Sequence, residues 1–172
     1  MSNVFELKTF ICFIVAGMCF LSFSCRDKSS QGRYFVKGPK MDTWKVLEDE
    51  NGDTVFLKKL KRPLLVIKYS KLNCNTCVDS LLSSLKRIKK DIPHAFFTDY
   101  EYDRDLYLFK RINNIKSKVY KTKYKTSIDS LNMPYVYVLD EDLSQKSVFI
   151  PKKENILDFD NYLSEISNFY WE

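Results

Sequence analysis

Two cysteines three residues apart, Cys74 and Cys77, stand between a compact aliphatic run and a helical pattern, and this junction constrains the fold more than any other feature. Leu64-Leu65-Val66-Ile67-Lys68-Tyr69 follows Pro63 and reads as a strand covered on both faces. After Cys77, apolar residues fall at Val78, Leu81, Leu82, Leu85 and Ile88, steps of three and four that mark one face of a helix. Lys86, Arg87, Lys89 and Lys90 near its end suit the helix dipole.

The rest of the chain extends this pattern. Asn51-Gly52-Asp53 is a turn signal that joins Trp44–Leu47 to Thr54–Leu57 in an N-terminal hairpin. Pro93 closes the first helix and Ala95–Thr98 is a second strand, followed by an amphipathic helix on Leu106, Phe109 and Ile112. Asn113–Lys125 is polar and basic and reads as a solvated loop, with anionic lipid or an acidic partner as the alternative use of its lysines. Ser127–Leu131 reads as a helical turn, and Met133-Pro134 precedes a strand at Tyr135–Leu139. Asp140-Glu141-Asp142 then turns into Ser147–Ile150. Ile156, Phe159, Tyr162, Leu163, Ile166 and Phe169 predict a closing helix docked on the sheet, with Tyr170 and Trp171 finishing its core contact.

The N-terminus stands apart. Phe10–Phe23 is almost unbroken apolar sequence, shorter than the roughly 20 residues a membrane span needs but suited to the core of an export signal. Leu21-Ser22-Phe23-Ser24-Cys25 resembles a bacterial lipoprotein signal, which implies that Cys25 is lipidated and becomes the mature N-terminus. An ordinary cleaved signal or an uncleaved anchor are the alternatives. The expected organisation is a signal peptide over 1–24, a tether over 25–40 and one domain over 41–172. Cys12 and Cys19 then leave with the signal, and of the 5 cysteines only Cys74 and Cys77 remain as thiols in an oxidising compartment.

The order strand, Cys-x-x-Cys, helix, strand, helix, X-Pro, strand, strand, helix is the thioredoxin order. Together with Pro63–Cys77, the Met133-Pro134 step and the N-terminal hairpin, it resembles the membrane-anchored redoxins of the TlpA and ResA kind over residues 41–172. The resemblance implies an α/β thioredoxin fold with an extra N-terminal β-hairpin. It implies thiol-disulfide exchange facing the periplasm, with Cys74 as nucleophile, Cys77 as the resolving thiol, and a cis proline at Pro134 that, with Met133, meets the substrate. A protein or small-molecule disulfide would be the substrate, a membrane electron donor would keep the pair reduced, and no cofactor is called for. The unpaired N–H groups and dipole at a helix N-terminus favour the thiolate such chemistry needs.

This chain also departs from the family. Leu72-Asn73 replaces the aromatic before the first cysteine, and Asn75-Thr76 replaces the Pro or Gly between the two. Lys68 and Ser80 stand where some relatives carry a buried acid, with Asp79 beside the latter. Lys68 is expected to reach solvent from the strand end; pointed at the site, it would instead favour a Cys74 thiolate.

Composition narrows the alternatives. With 1 histidine, His94, a His-dependent triad or a multi-histidine metal site has almost nothing to work with, and His94 is expected on a surface loop. Zinc wants four ligands and finds two thiols and His94. The net charge of +6 attracts anionic surfaces, but the export signal disfavours nucleic acid. Tyr69–Cys74 lacks the Pro that a peroxidatic Pro-x-x-x-Thr-x-x-Cys site requires, and copper-delivery relatives use a wider cysteine spacing. A non-catalytic binding lipoprotein that holds the pair closed stays open as the other class.

Overall fold

The computed structural model describes residues 37–42, 45–73, 75–87, 92–151 and 156–171, all within one compact unit, Tyr34–Glu172. The expected signal over 1–24, Cys25, most of the tether, Trp44 and Cys74 lie outside the described residues.

Eight strands form one sheet in the order β1-β8-β7-β4-β5-β6-β2-β3. They are β1 (Lys37–Lys40), β2 (Val46–Glu48), β3 (Thr54–Phe56), β4 (Leu64–Tyr69), β5 (His94–Thr98), β6 (Val119–Lys121), β7 (Tyr135–Leu139) and β8 (Ser144–Phe149). Three helices, α1 (Asn75–Arg87), α2 (Asp103–Asn113) and α3 (Ile156–Trp171), complete the described secondary structure, with 3-10 turns at Leu57–Lys59 and Ser127–Leu131. The centre is parallel, with β4 beside β5 and β5 beside β6; β7 joins β4 antiparallel and β8 joins β7.

β4 occupies the centre because all six of its residues are buried, as a strand covered on both faces must be. Its alternation divides the core. Leu65, Ile67 and Tyr69 face the three helices, among Val78, Leu81, Leu106, Phe109 and Ile166. Leu64 and Val66 face the other way, into a second cluster with Leu57, Phe97, Tyr135, Tyr137 and Met41. On that second face the cover comes from turns and connecting segments. Met41 and Lys45 mark the path of the chain across it, Met41 against Tyr137 and Gln145 and Lys45 over the Tyr124 ring.

The elements depart from the sequence reading in several places, among them Phe169, expected on the docked face of α3 but 56% exposed. The segment expected as a solvated loop contains β6, whose Val119 and Tyr120 are buried. Its neighbour Lys121 pairs with Glu48 (2.7 Å), the residue opposite it on β2, and with Asp103. A strand of three residues flanked by lysines gives no alternating run, so its signal lies in the partners. Lys37–Lys40, the last part of the expected tether, is β1 and pairs with β8. An edge strand needs no apolar periodicity, and it tolerates Pro39 because a proline there sacrifices no inner ladder bond.

β8 begins at Ser144, three residues before the expected Ser147, because its first turn of sequence is polar yet buried at Ser144, Gln145 and Ser147. On α2, Ile112 is 77% exposed rather than core. Steps of three drift about 60° around a helix, so the face defined by Leu106 continues at Asn113, whose amide donates to the Phe109 carbonyl (2.9 Å).

The N-terminal hairpin is present as β2 and β3, registered Val46 to Phe56 and Glu48 to Thr54. The Asp49 carboxylate accepts the Asn51 and Asp53 N–H groups, and Gly52 takes a φ of 84° that a side chain would oppose. Its Glu50 carboxylate anchors the loop on Lys110 (2.5 Å) and the Val119 N–H (3.1 Å).

Candidate functional site

The junction of β4 and α1 is built by a short turn with unusually complete hydrogen bonding. The Asn73 carboxamide oxygen accepts the Ser70 N–H (2.6 Å), and the Asn73 N–H donates to the Ser70 carbonyl (2.9 Å). The Ser70 hydroxyl donates to Asp99 at the end of β5 (2.9 Å), and Lys71 pairs with Asp105 on α2 (3.3 Å). Asn73 is buried and folds the chain back to the end of β4 before the first cysteine position. Sequence reasoning assigned no role to Ser70, Asn73 or Asp99. The polar Ser-x-x-Asn pattern at a strand end was the available signal.

Cys74 lies outside the described residues. Cys77 is the third residue of α1 and is half-buried. The first turn of α1 carries no acidic residue, so no carboxylate of its own offsets the positive end of the helix dipole there. Beside this turn a cleft of about 450 Å³ opens between α1 and α2. Tyr69 forms part of its floor, stacked on Phe109 at 4.4 Å, with Val78, Asp79, Leu108 and Ile112 among its other lining residues.

The X-Pro step meets the same end of the sheet. β7 runs antiparallel to β4 with Lys68 opposite Tyr135, so Met133 and Pro134 stand just past the end of β4, beside the turn that leads to the cysteines. Pro134 is buried and Met133 half-buried. One expectation about this step is corrected. The cis X-Pro bond among the described residues is Arg62–Pro63, not Met133–Pro134. The change of direction before β7 comes at Asn132, which takes a left-handed φ of 51° after the 3-10 turn capped by Thr126 and Asp129.

Lys68 does not reach solvent. It is 3% exposed, and its ammonium lies over the Tyr124 ring at 5.2 Å from the centroid. Desolvation pulls its pKa below the usual lysine value, partly opposed by Asp129 and Asp99. Around it is a hydroxyl network that the sequence did not reveal. Tyr124 and Tyr137 share a hydrogen bond (2.7 Å), and Tyr135 contacts the hydroxyl of Thr126 (3.0 Å) and the carboxylate of Asp129 (3.2 Å). Burial raises the pKa of all three tyrosines, so they stay protonated. His94, expected on a loop, opens β5. Its Nδ1 donates to the Ile92 carbonyl (2.7 Å) and its Nε2 accepts from Ser117 (2.5 Å), a structural role far from the cysteine turn in the topology.

Solved structures align with this arrangement over most of the chain. An electron transport candidate from Aquifex aeolicus VF5 superposes with a TM-score of 0.52 at 24% identity, over 74% of this chain and 96% of that one. An uncharacterized thioredoxin-like protein from Porphyromonas gingivalis gives 0.51 at 14% identity, over 78% and 94%. A candidate protein disulfide isomerase from Bacteroides thetaiotaomicron gives 0.50 at 14% identity, over 77% and 89%. The fold is thioredoxin-like. No family model and no curated protein sequence matches the chain. In this fold Cys77, near the start of α1, and the Met133-Pro134 step fall at the same end of the central strand.

Proposed function

We propose that this chain is an extracytoplasmic thiol-disulfide oxidoreductase, working in the reducing direction and held to a bacterial membrane through lipid on Cys25. The observation that carries the reading is the convergence at the end of β4. The Cys-x-x-Cys sequence enters α1 there, and the β4–β7 register brings Met133-Pro134 alongside.

In the proposed reaction the Cys74 thiolate attacks one sulfur of a substrate disulfide. That S–S bond breaks, its other sulfur leaves as a thiolate that takes up a proton, and a mixed disulfide with Cys74 remains. Cys77 then loses its proton and attacks the Cys74 sulfur. The second substrate sulfur leaves and is protonated, and a Cys74–Cys77 disulfide remains on the protein. Two electrons and two protons have passed to the substrate, and a dithiol donor at the membrane returns them. Met133 would offer its backbone to the extended segment that carries the substrate disulfide.

The test is disulfide reduction by the full-length protein in detergent, with the equilibrium of the Cys74/Cys77 pair measured by thiol trapping against graded dithiol buffers. Activity lost in Cys74→Ser, with a potential near the thioredoxin value of roughly −270 mV, is the expected result. A pair that forms a disulfide resistant to reduction, with no exchange, would refute the enzymatic reading and leave a binding lipoprotein.

A further inference from the structure

The two margins of the sheet are finished differently. β1 carries Pro39 between Lys37 and Lys40, and its pairing with β8 shifts register between those two lysines, so its outer side is a poor template for another strand. β3, at the opposite margin, has none of these devices. Thr54-Val55-Phe56 holds no charge and no proline, and its register against β2 is regular. Lys58 and Lys59 lie past the end of the strand, over the Phe56 ring at 5.8 and 5.9 Å, and leave the edge itself open.

The backbone of this edge is aimed outward in a defined way. The Asp49 N–H donates to the Asp53 carbonyl (2.9 Å) and the Leu57 N–H to the Lys45 carbonyl (3.1 Å), so the hydrogen-bonded pairs of the hairpin are Asp49 with Asp53, Leu47 with Val55 and Lys45 with Leu57. Thr54 and Phe56 belong to the alternate pairs. Their N–H groups and the Thr54 carbonyl therefore point away from β2, off the margin of the sheet. On the face they share, Val46 (46% exposed) and Phe56 (39% exposed) stand directly opposite each other.

Charge is divided along the same hairpin. Its turn end holds Asp49, Glu50 and Asp53, and its open end holds Lys45, Lys58 and Lys59. A second copy laid antiparallel against β3 meets this pattern with the ends exchanged, basic against acidic at both ends. A parallel copy would set like charge against like, and an unrelated acidic strand would satisfy the lysines but be repelled at the turn.

We infer that β3 is a self-association edge: two copies of this chain pair β3 to β3, antiparallel about a two-fold axis at Val55, and join two eight-stranded sheets into one. Thr54 of each copy stands opposite Phe56 of the other. The Phe56 N–H donates to the Thr54 carbonyl in both directions, and the two Phe56 rings become diagonal neighbours on one face, beside Val46. The strand is three residues long, so the contact is small and the association weak, dependent on protein concentration and lowered by salt. It does not depend on the reaction proposed above.

The test uses the full-length protein in detergent, with micelles in large excess over protein. The variant Phe56→p-benzoylphenylalanine, irradiated at rising concentration, should give a covalent dimer whose cross-link maps to Thr54–Phe56 of the second chain. Charge reversal at exposed positions checks the orientation by sedimentation velocity. The double variant Lys58→Glu, Lys59→Glu and the single variant Asp53→Lys should each weaken self-association about tenfold or more, and an equal mixture of the two should recover it as a heterodimer. Phe56→Pro suits the φ of −76° at that residue, removes the outward N–H and should abolish pairing. A protein monomeric at every concentration, cross-links that map elsewhere on the chain, capture of another protein alone when intact cells are irradiated, or reversed variants that do not recover on mixing would overturn the inference.

Discussion

The two faces of the sheet are both buried but by different chemistry. The helix-covered face is filled by aliphatic and aromatic side chains such as Leu81, Phe96, Phe159 and Ile166, with Phe149 and Tyr162 stacked at 4.9 Å. The turn-covered face holds the Tyr124–Tyr137 hydroxyl pair, Tyr135 on Asp129, the buried amine of Lys68 and the Gln145 side chain, whose carbonyl oxygen is buried without a hydrogen-bond partner. Burial on the first face is non-directional and tolerates small shifts. On the second the tyrosine hydroxyls depend on particular neighbours, and leaving such a neighbour unpaired costs more than the bond itself contributes.

The sharpest way to break this comparison is on the helix face. Phe159→Ala should cost about 3–5 kcal/mol through lost burial and the cavity left between α3 and β8, read as a fall in the urea midpoint. A smaller loss, near the range of a surface change, would mean that α3 docks more loosely than its buried residues indicate.

On the turn face Tyr137→Phe should cost about 1–3 kcal/mol, because it removes the hydrogen-bond partner of the Tyr124 hydroxyl in a dry site. Tyr124→Phe should be similar, and the double variant should cost less than the sum of the two. The same tyrosines set an alkaline limit. Their folded pKa values are raised above the ordinary value near 10, so the folded state holds more protons than the unfolded chain above that pH. Their contribution to stability is complete below pH 10 and is lost as pH climbs towards the folded values. The Tyr124→Phe, Tyr137→Phe double variant should flatten that decline in denaturation curves recorded at rising pH.

Two smaller effects sharpen the picture at the edges of these faces. Asn73→Ala should cost about 1 kcal/mol in stability, since it deletes one side-chain bond to the Ser70 N–H. It should slow disulfide exchange more than it destabilises, by loosening the approach to the cysteines, and equal losses in both would reduce Asn73 to a structural role. Glu48→Gln should cost about 0.2–1 kcal/mol, less in high salt, because Lys121 keeps Asp103 and Glu48 is partly exposed.

Legibility from sequence followed the same division. β4 was readable to the residue, Leu64–Tyr69, because the four buried aliphatic residues Leu64–Ile67 stand together in sequence after Pro63. α1 and α3 were readable from Val78-Leu81-Leu82 and from Phe159-Tyr162-Leu163-Ile166, where period and packing coincide. The placement of Cys77 at the start of the helix that follows β4 was readable for the same reason. β6 and the start of β8 were not, because Val119-Tyr120 sits among lysines, of which Lys121 finds Glu48 and Asp103 only in three dimensions, and Ser144-Gln145 is buried although polar. Lys68 misled most, since a lysine at a strand end is usually solvated and only the enclosing loop with Tyr124 shows otherwise.

The path of the chain between β1 and β2 also matters mechanically. β1 is the outermost strand at one margin and β2 lies beside the other, and Met41 and Lys45 run between them over the tyrosines. Tension applied upstream of Lys37 would reach the sheet first through the few ladder bonds of β1 to β8. Once those parted, the pull would pass to Met41 and lift the strap from Tyr137. The end of β4 is held by a different set of contacts, the Ser70–Asn73 turn and its anchors on Asp99 and Asp105, so the margin that takes a pull is separate from the end that leads into α1.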